Sequence, residues 1–490
     1  MNVREYNPSL WMTTSSAGRH QPLSGDLQVD VAVVGAGITG LTTALLLRER
    51  GARVAVLEAG EVTAGTTGYT TGKLTALHRL IYADMAERVG VPAARLYAEA
   101  NQAAIEQVSA LVERYAIDCD FQRQSAYTYT CDPARVCDLE AEVETAERIG
   151  LPAQLLDEVG LPFPVQAAVR LGNQAQFHPR RYCLGLAAGI DDGRSVFTHT
   201  RVTDITERNG GCVLTTTRGT VRAARAIVAT LVPFIGQGHL DRNSSPSRSY
   251  LIAARVATPN LEGMYISAED PVRSLRSAEN QLLVGGDSHP VGHDPDTPRH
   301  YTALERFARE HFPLLEVTHR WSAQDYLPPD RIPYVGRPGA DASDRILVAT
   351  GFQKWGLTLG TAAGIMLCDL VQGRRNDWLG LFDASRKPSP KAPAGKLHGH
   401  SPKAEAPDSP EQLGSGEGAV FGPNDRRTAV FRDDDGDLHA VSATCTHLGC
   451  EVAFNPAERS WDCHCHGSRF NPDGRVLQGP AVRDLEREER

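Results

Sequence analysis

The strongest constraint on the fold is a glycine-rich turn set between two short apolar runs. Asp30-Val-Ala-Val-Val34 leads directly into Gly35-Ala36-Gly37-Ile38-Thr39-Gly40, and residues 41–50 continue with helical character. Gly51 then precedes a second apolar run, Val54-Ala-Val-Leu57, which ends in Glu58. Strand, turn, helix and strand in that order make a dinucleotide-binding unit in which each glycine has its own task. Gly35 permits the tight turn, Gly37 lets a pyrophosphate approach the backbone, and Gly40 lets the helix lie close to the strand. The helix N-terminus faces the pyrophosphate, and Glu58 is placed to accept from the adenosine ribose hydroxyls. A bare glycine pattern would say little. Flanked by both strands, the helix and the acid, it predicts an α/β nucleotide fold.

The loop that follows, Thr63-Ala-Gly-Thr66-Thr67-Gly-Tyr-Thr-Thr-Gly-Lys73-Leu-Thr75, is dense in backbone N–H and hydroxyl donors. It suits phosphate or a polar ring, and a solvated turn would have the same composition. Far downstream, Arg345-Ile-Leu-Val-Ala-Thr350-Gly351 reads as a strand. Phe352-Gln-Lys-Trp355-Gly356-Leu357-Thr358-Leu-Gly360 follows it, then a helix to residue 370. Together these stretches resemble the FAD-dependent oxidoreductases of the D-amino-acid oxidase and glycine oxidase superfamily. The resemblance implies that residues 63–75 pass along the flavin, with Thr66, Thr67 and Lys73 beside it. It implies an adenine contact near Val202, and a flavin ring held by Gly351, Gly356, Leu357 and Thr358. A helix N-terminus at the ring would stabilise the anion of reduced flavin.

The same resemblance implies a bipartite Rossmann-like FAD-binding domain over 26–384, its parts at about 26–80, 160–240 and 340–384. Strands read over 118–130, 169–177, 249–256 and 281–286 then belong to an inserted, mixed-sheet substrate domain. Residues 81–115 read as one amphipathic helix, with Ile105, Val108, Leu111 and Val112 on its apolar face. A sheet roofing the flavin makes Tyr250, Arg276 and Gln324 pocket candidates, and Lys73, Asp325 and Trp355 complete the candidate catalytic set. His178, before Pro179 at a strand end, reads as structural. One departure bears on substrate. Amino-acid oxidases of the superfamily place a carboxylate-binding Arg before a Pro-Asp-x-x-Pro stretch; Pro329-Asp-Arg-Ile-Pro333 matches, but the Arg position falls on Asp325. An acid there would favour an amine or a cation over a simple α-amino acid, unless the alignment is shifted and Asp325 lies at the surface.

The C-terminal part carries a second chemistry. Cys445-Thr-His447-Leu-Gly-Cys450 is answered by Cys463-His464-Cys465-His466-Gly-Ser468, each box offering a Cys and a His to one site. Two thiolates with two imidazoles are the ligand set of a Rieske [2Fe–2S] centre. A Cys₂His₂ zinc site is the plainer alternative, and its usual spacings fit less well. Residues 451–462 read as strand, turn, strand, which brings the boxes together, and the remaining Cys450 and Cys465 could form a disulfide. The stretch resembles the disulfide-bearing branch of the Rieske family. That likeness implies Cys445, His447, Cys463 and His466 as ligands and a Cys450–Cys465 bond. His464 departs from the family, which usually has proline there. An all-β domain over 415–490 is expected, tethered by a Pro-, Lys- and Ser-rich linker over 385–414.

With 41% apolar and 23% charged residues and a net charge of −9, the chain gives no electrostatic reason to expect nucleic acid. No signal-type apolar segment opens it and no run reaches spanning length, so a cytoplasmic location is expected. Of its ten cysteines, the six outside the boxes are scattered and read as reduced thiols. The expected function is oxidation of an amine or amino-acid-like small molecule by hydride transfer to flavin. Electrons would then pass singly through the cluster to an external acceptor or redox partner protein. The alternative is an electron-transfer module serving a partner enzyme, for which a second nucleotide fingerprint is missing. A Rieske oxygenase would need a separate two-His, one-carboxylate iron domain, and the FAD fold fills that part of the chain.

Overall fold

In the computed structural model, which describes residues 6–18, 20–235, 240, 243–257, 261–387, 407–423 and 427–488, the run Leu27–Val34 is a central strand. It pairs in parallel with Val54–Leu57 on one side and Gly219–Val228 on the other. Ile346–Thr350 and Val196–Phe197 extend the parallel core, and Tyr334–Gly336 closes one edge antiparallel. A ribbon of Val202–Arg208 and Gly211–Thr216 makes this an eight-stranded sheet. Parallel sheets are covered on both faces, which explains why Val54–Leu57 and Ile346–Thr350 are buried at every position.

The two glycine motifs start two helices, Ile38–Glu49 and Gly356–Val371, that lie against each other. A Cβ on Gly360 would reach within 2.6 Å of Thr39 Oγ1, and one on Gly364 within 2.9 Å of Thr42 Cγ2. Small residues thus bring the two motifs to backbone distance, although some three hundred positions separate them in the chain. Gly35 takes φ +105°, and a Cβ at Gly40 would lie 2.0 Å from the Gly35 carbonyl oxygen. Both positions therefore require glycine for the reasons read from the sequence.

The second sheet has nine strands. Its order is Leu314–Leu327, Ser245–Val256, Gln281–Pro290, Arg273–Ala278, Met264–Ser267, Gln122–Thr130, Ala167–Gln176 and Lys73–Leu74, with Ala153–Leu156 joined to Ala167–Gln176. It is mixed, because Met264–Ser267 runs parallel to Gln122–Thr130 while the other pairs are antiparallel. Helix Pro298–His311 covers one face over a core that includes Tyr129, Tyr250, Tyr265 and Tyr301.

One expectation needs correction. Residues 81–115 form two helices, Tyr82–Arg88 and Val91–Arg114. Gly90 takes φ +105° between them and Pro92 occupies the first turn of the second, a combination that stops one helix and starts another. The apolar face itself is as read, with Ile105, Val108 and Leu111 buried.

The C-terminal part is all β. Gly418–Phe421, Thr428–Arg432 and Leu438–Ser442 form one antiparallel sheet, and Val452–Asn455, Ser460–Cys463, Arg469–Phe470 and Val476–Gln478 another. They enclose their own core around Phe431, Val441, Trp461 and Phe470. Most of the linker expected over 385–414 lies on residues 388–406, outside the described residues. Among the described residues, no helix is long and apolar enough to cross a membrane.

Candidate functional site

A cavity of about 1620 Å³ runs from the first glycine motif to the second sheet. At one end Gly35, Gly37, Ile38 and Thr39 line it, where Gly37 precedes the helix and has no side chain to cap it. Thr67 Oγ1 accepts from the Ile38 N–H at 3.2 Å. Glu58 also lines this end, and its carboxylate accepts from the N–H groups of Ala36 and Gly60, both at 2.8 Å. Burial pushes the Glu58 carboxyl above its ordinary range. Val202 borders the cavity beside this end, and Gly356 and Leu357 bring the start of the second helix to it.

Ala36, Gly40, Gly351 and Thr358, also expected at the cofactor, are not among the residues that line the cavity. Gly351, at φ +79°, packs on Pro328, and Thr358 Oγ1 is bonded to Thr75 O and His78 Nε2, both at 3.1 Å. A space joining the start of the first glycine-motif helix, an acid at the strand end and a second helix start fits a flavin dinucleotide. The chemistry of the lining and the positions that admit only glycine agree on this.

The candidate catalytic residues are not all brought together. Lys73, Tyr250, Asp325 and Trp355 line the cavity. Lys73 Nζ donates to Tyr265 O and to Ser274 Oγ at 2.6 Å, and burial drives its pKa well below the ordinary lysine value. Trp355 stacks on His78, with ring centroids 4.5 Å apart. Asp325 is buried, and both of its oxygens are engaged by the backbone: Oδ1 accepts from Tyr326 N at 2.7 Å and Oδ2 from Lys354 N at 2.5 Å. Burial raises its carboxyl to about 6. It therefore holds the Gln353–Lys354 turn, both residues of which have positive φ, just ahead of the second helix. The surface position weighed for Asp325 is thereby corrected. Tyr250 turns its hydroxyl to His289 Nε2 at 3.0 Å, within a stack that includes His300.

Arg276 does not line the cavity. Its guanidinium donates to Gly72 O at 2.6 Å and sits over the Trp11 ring, so it fastens the loop from behind. This corrects its expected place in the substrate pocket. His178 caps helix Pro179–Ile190 through its Nδ1, which fits the structural reading.

In the C-terminal domain the two boxes meet. Cys445 and Cys463 are buried side by side, and the His447 and His466 rings stand edge to face with centroids 5.0 Å apart. Turns closed by Gly449 N–Cys445 O and Gly467 N–Cys463 O bring each Cys and His of a box to the same end. Cys450 and Cys465 are disulfide-bonded across the two loops, with Cα atoms 6.5 Å apart. Two thiols and two imidazoles converging at a clamped loop pair fit a [2Fe–2S] cluster.

This domain packs directly on the second sheet. Gln324, which lines the cavity, donates through Nε2 to Gly467 O at 2.7 Å, and Tyr326 OH donates to His466 O at 2.7 Å. A Cβ on Gly467 would lie 2.4 Å from Gln324 Nε2, which shows how closely the ligand loop is seated. Thr66 Oγ1 donates to Gln324 O at 2.8 Å, so the cofactor loop, the sheet and the cluster loop share one chain of contacts. His464 packs its backbone on Gly292, where a Cβ would lie 2.8 Å from His464 Cβ, and its ring stands edge-on to His293. The residue at the unusual position is thus an interface residue.

Sequence reasoning missed Arg201 and residues 475–482, all of which line the cavity. No local pattern marks them, since their place depends on how the two domains meet.

The family profile of FAD dependent oxidoreductases matches residues 30–370, and that of the Rieske [2Fe-2S] domain matches residues 408–487. The Bacillus subtilis (strain 168) protein YhfW, whose name carries the words "Rieske 2Fe-2S iron-sulfur protein", is 37% identical over 99% of this chain and 98% of its own. Gamma-glutamylputrescine oxidoreductase of Escherichia coli (strain K12) is 27% identical over 73% of this chain and 88% of its own. Among solved structures, glycine oxidase from Geobacillus kaustophilus superposes with a TM-score of 0.62 at 22% identity, covering 74% of this chain and 99% of that one.

Proposed function

The chain belongs to the FAD dependent oxidoreductase family and joins to it a Rieske [2Fe-2S] domain; from that premise we propose that it oxidises an amine or amino-acid-like substrate and hands the electrons singly to an external acceptor. Bound FAD takes up two electrons together, whereas a [2Fe–2S] cluster carries one at a time. The observation that carries the reading is the seating of the ligand loop on Gln324 and Tyr326, a strand that also lines the cavity. A relative named for gamma-glutamylputrescine oxidation supports an amine as substrate. The proposal includes a division into an oxidoreductase part over 26–384, a linker over 385–414 and a cluster domain over 415–490. It also includes a cytoplasmic setting, which six free thiols outside the cluster region favour.

Lys73 has a specific task in this proposal. An ammonium substrate must lose a proton before its α C–H can leave as hydride, because the nitrogen lone pair stabilises the developing cation. A neutral lysine has two N–H donors and one lone pair. Here two acceptors, Tyr265 O and Ser274 Oγ, take two donors, and burial disfavours the charged form. Lys73, which lines the cavity, is assigned the receipt of the substrate proton in this proposal. Trp355, stacked on His78, forms a flat apolar wall that excludes water from the reacting carbon. Asp325 contributes by holding the turn that aims the second helix at the cavity.

The test is anaerobic titration of the loaded full chain with a panel of amines and amino acids. Flavin bleaching followed by the electron paramagnetic resonance signal of a reduced cluster is expected for at least one amine. If bleaching and cluster reduction occur only on adding a reductase, the proposal fails and a carrier serving a partner enzyme takes its place.

A further inference from the structure

The C-terminal strand Val476–Gln478 and the turn after it reach beyond their own domain. Residues 475–482 and Asp484 line the large cavity, beside Glu58, Thr66 and Val202 of the nucleotide-binding half. Two contacts fix them there: Arg201 donates to Val476 O at 3.1 Å, and Gln478 Nε2 donates to Thr66 Oγ1 at 3.2 Å. Arg201 lies between Glu58 and Asp484, close enough for both carboxylates to act on its charge. The segment therefore meets the cavity at the end where the glycine turn and the strand-end acid stand.

The other side of the same segment is tied to the cluster loops. Val476–Gln478 pairs with Arg469–Phe470, and Ala481 N donates to Ser468 Oγ at 3.0 Å. Ser468 O in turn accepts from Cys463 N at 2.8 Å. Asp484 Oδ1 accepts from Val476 N at 2.9 Å, which closes the segment on itself. One piece of chain is thus bonded to a ligand box on one side and borders the nucleotide cavity on the other. Bound dinucleotides bury most of their surface, and residues 475–482 supply part of the lining at this end of the cavity.

We propose that residues 475–482 and Asp484 of the cluster domain form a wall of the FAD site and contact the adenosine-to-pyrophosphate part of the bound dinucleotide. The cluster domain is then a component of the flavin site, and the two cofactors sit in one closed unit. Undocking the cluster domain would open the FAD site, and FAD in turn stabilises the docked arrangement, because coupling of this kind is reciprocal. This holds whatever the substrate is.

The test uses the full chain with its cluster loaded and FAD first removed, then added back. Amide hydrogen exchange of residues 475–482 is expected to slow about tenfold or more on FAD addition. Gln478→Ala is expected to weaken FAD binding about fivefold through the lost contact to Thr66, and Leu477→Trp by more than tenfold through lost space. The cluster's paramagnetic resonance spectrum should stay unchanged in both. Unaltered exchange across 475–482 with FAD present, together with wild-type FAD affinity in both variants, would overturn the proposal. Should Leu477→Trp lose its cluster signal, the exchange result on the unaltered chain decides by itself.

Discussion

Arg248 and Asp462 meet 3.2 Å apart across the junction of the two domains, and their side chains are 0% and 2% exposed. Arg469 approaches the same carboxylate at 3.3 Å, and Asn455 and Ser460 donate to it at 3.0 and 2.8 Å. Arg248 is held by Ser322 and Gln324, so the charge network is continuous with the strand that lines the cavity. The arginines keep the Asp462 carboxyl below its ordinary range despite burial.

Breaking that pair should loosen the junction first. Arg248→Met leaves Asp462 buried with one arginine instead of two, and loss of a partner in such a pair costs about 3–5 kcal/mol. The expected result is a lower thermal midpoint for loss of the cluster's visible circular dichroism. An unchanged midpoint would mean that the network carries no docking energy.

Tyr326→Phe removes the donor to His466 O and keeps the ring. The cost to stability is modest, about 1 kcal/mol. Rapid-mixing spectroscopy should show flavin bleaching at the wild-type rate and cluster reduction slowed several-fold. Equal slowing of both phases would assign Tyr326 to the substrate side instead.

The disulfide Cys450–Cys465 closes a loop over a sequence separation of 15. In the chain-entropy account a loop of this length contributes about 3 kcal/mol. The Cys450→Ser, Cys465→Ser double variant should therefore release iron at lower temperature or denaturant, and the reducing agent that destabilises wild type should leave it unaffected. Iron release measured with a chromogenic chelator reads this directly.

Lys73→Met should slow amine-driven flavin bleaching on the order of a hundredfold at neutral pH. The deficit should shrink as pH rises, because solvent then delivers the substrate already deprotonated. A pH-independent deficit would reduce Lys73 to a packing role.

Glu142 gives a pH signature in stability away from the site. It is fully buried, accepts from Tyr82 N and Ala83 N at the start of helix Tyr82–Arg88, and burial raises its carboxyl from 4.5 to about 7. A raised carboxyl favours the protonated fold. Its contribution is complete below pH 4.5 and is lost as pH rises through about 7, a swing of roughly 3 kcal/mol. Glu142→Gln stays neutral throughout, so its thermal midpoint should gain on wild type between pH 5 and pH 8. A constant gap over that interval would contradict the assignment.

Much of this molecule is legible in its sequence. The turn at Gly35, the close approach at Gly40 and the two Cys-His boxes are local patterns, since each constraint acts within a few residues and leaves only glycine, or only a metal-ligating side chain, as an acceptable choice. The strand-turn-strand between the boxes is legible for the same reason. The break at Gly90 is marked by Gly and Pro standing together, but the apolar period continues across it and masks the signal.

What the sequence hides depends on partners remote in the chain. Arg276 is a fastener because Gly72 and Trp11 meet it in three dimensions, and Asp325 is the anchor of a turn because Lys354 N reaches it. Gln478 is a neighbour of Thr66 because one domain docks on another. Sequence by itself determined the cofactor chemistry, since ligand type and glycine geometry are properties of short stretches. Only the tertiary structure decided which walls the cofactor site has and how the cluster is seated beside it. Those outcomes follow from long-range strand register and domain packing, where the free energy is spread over many residues and no single stretch carries the pattern.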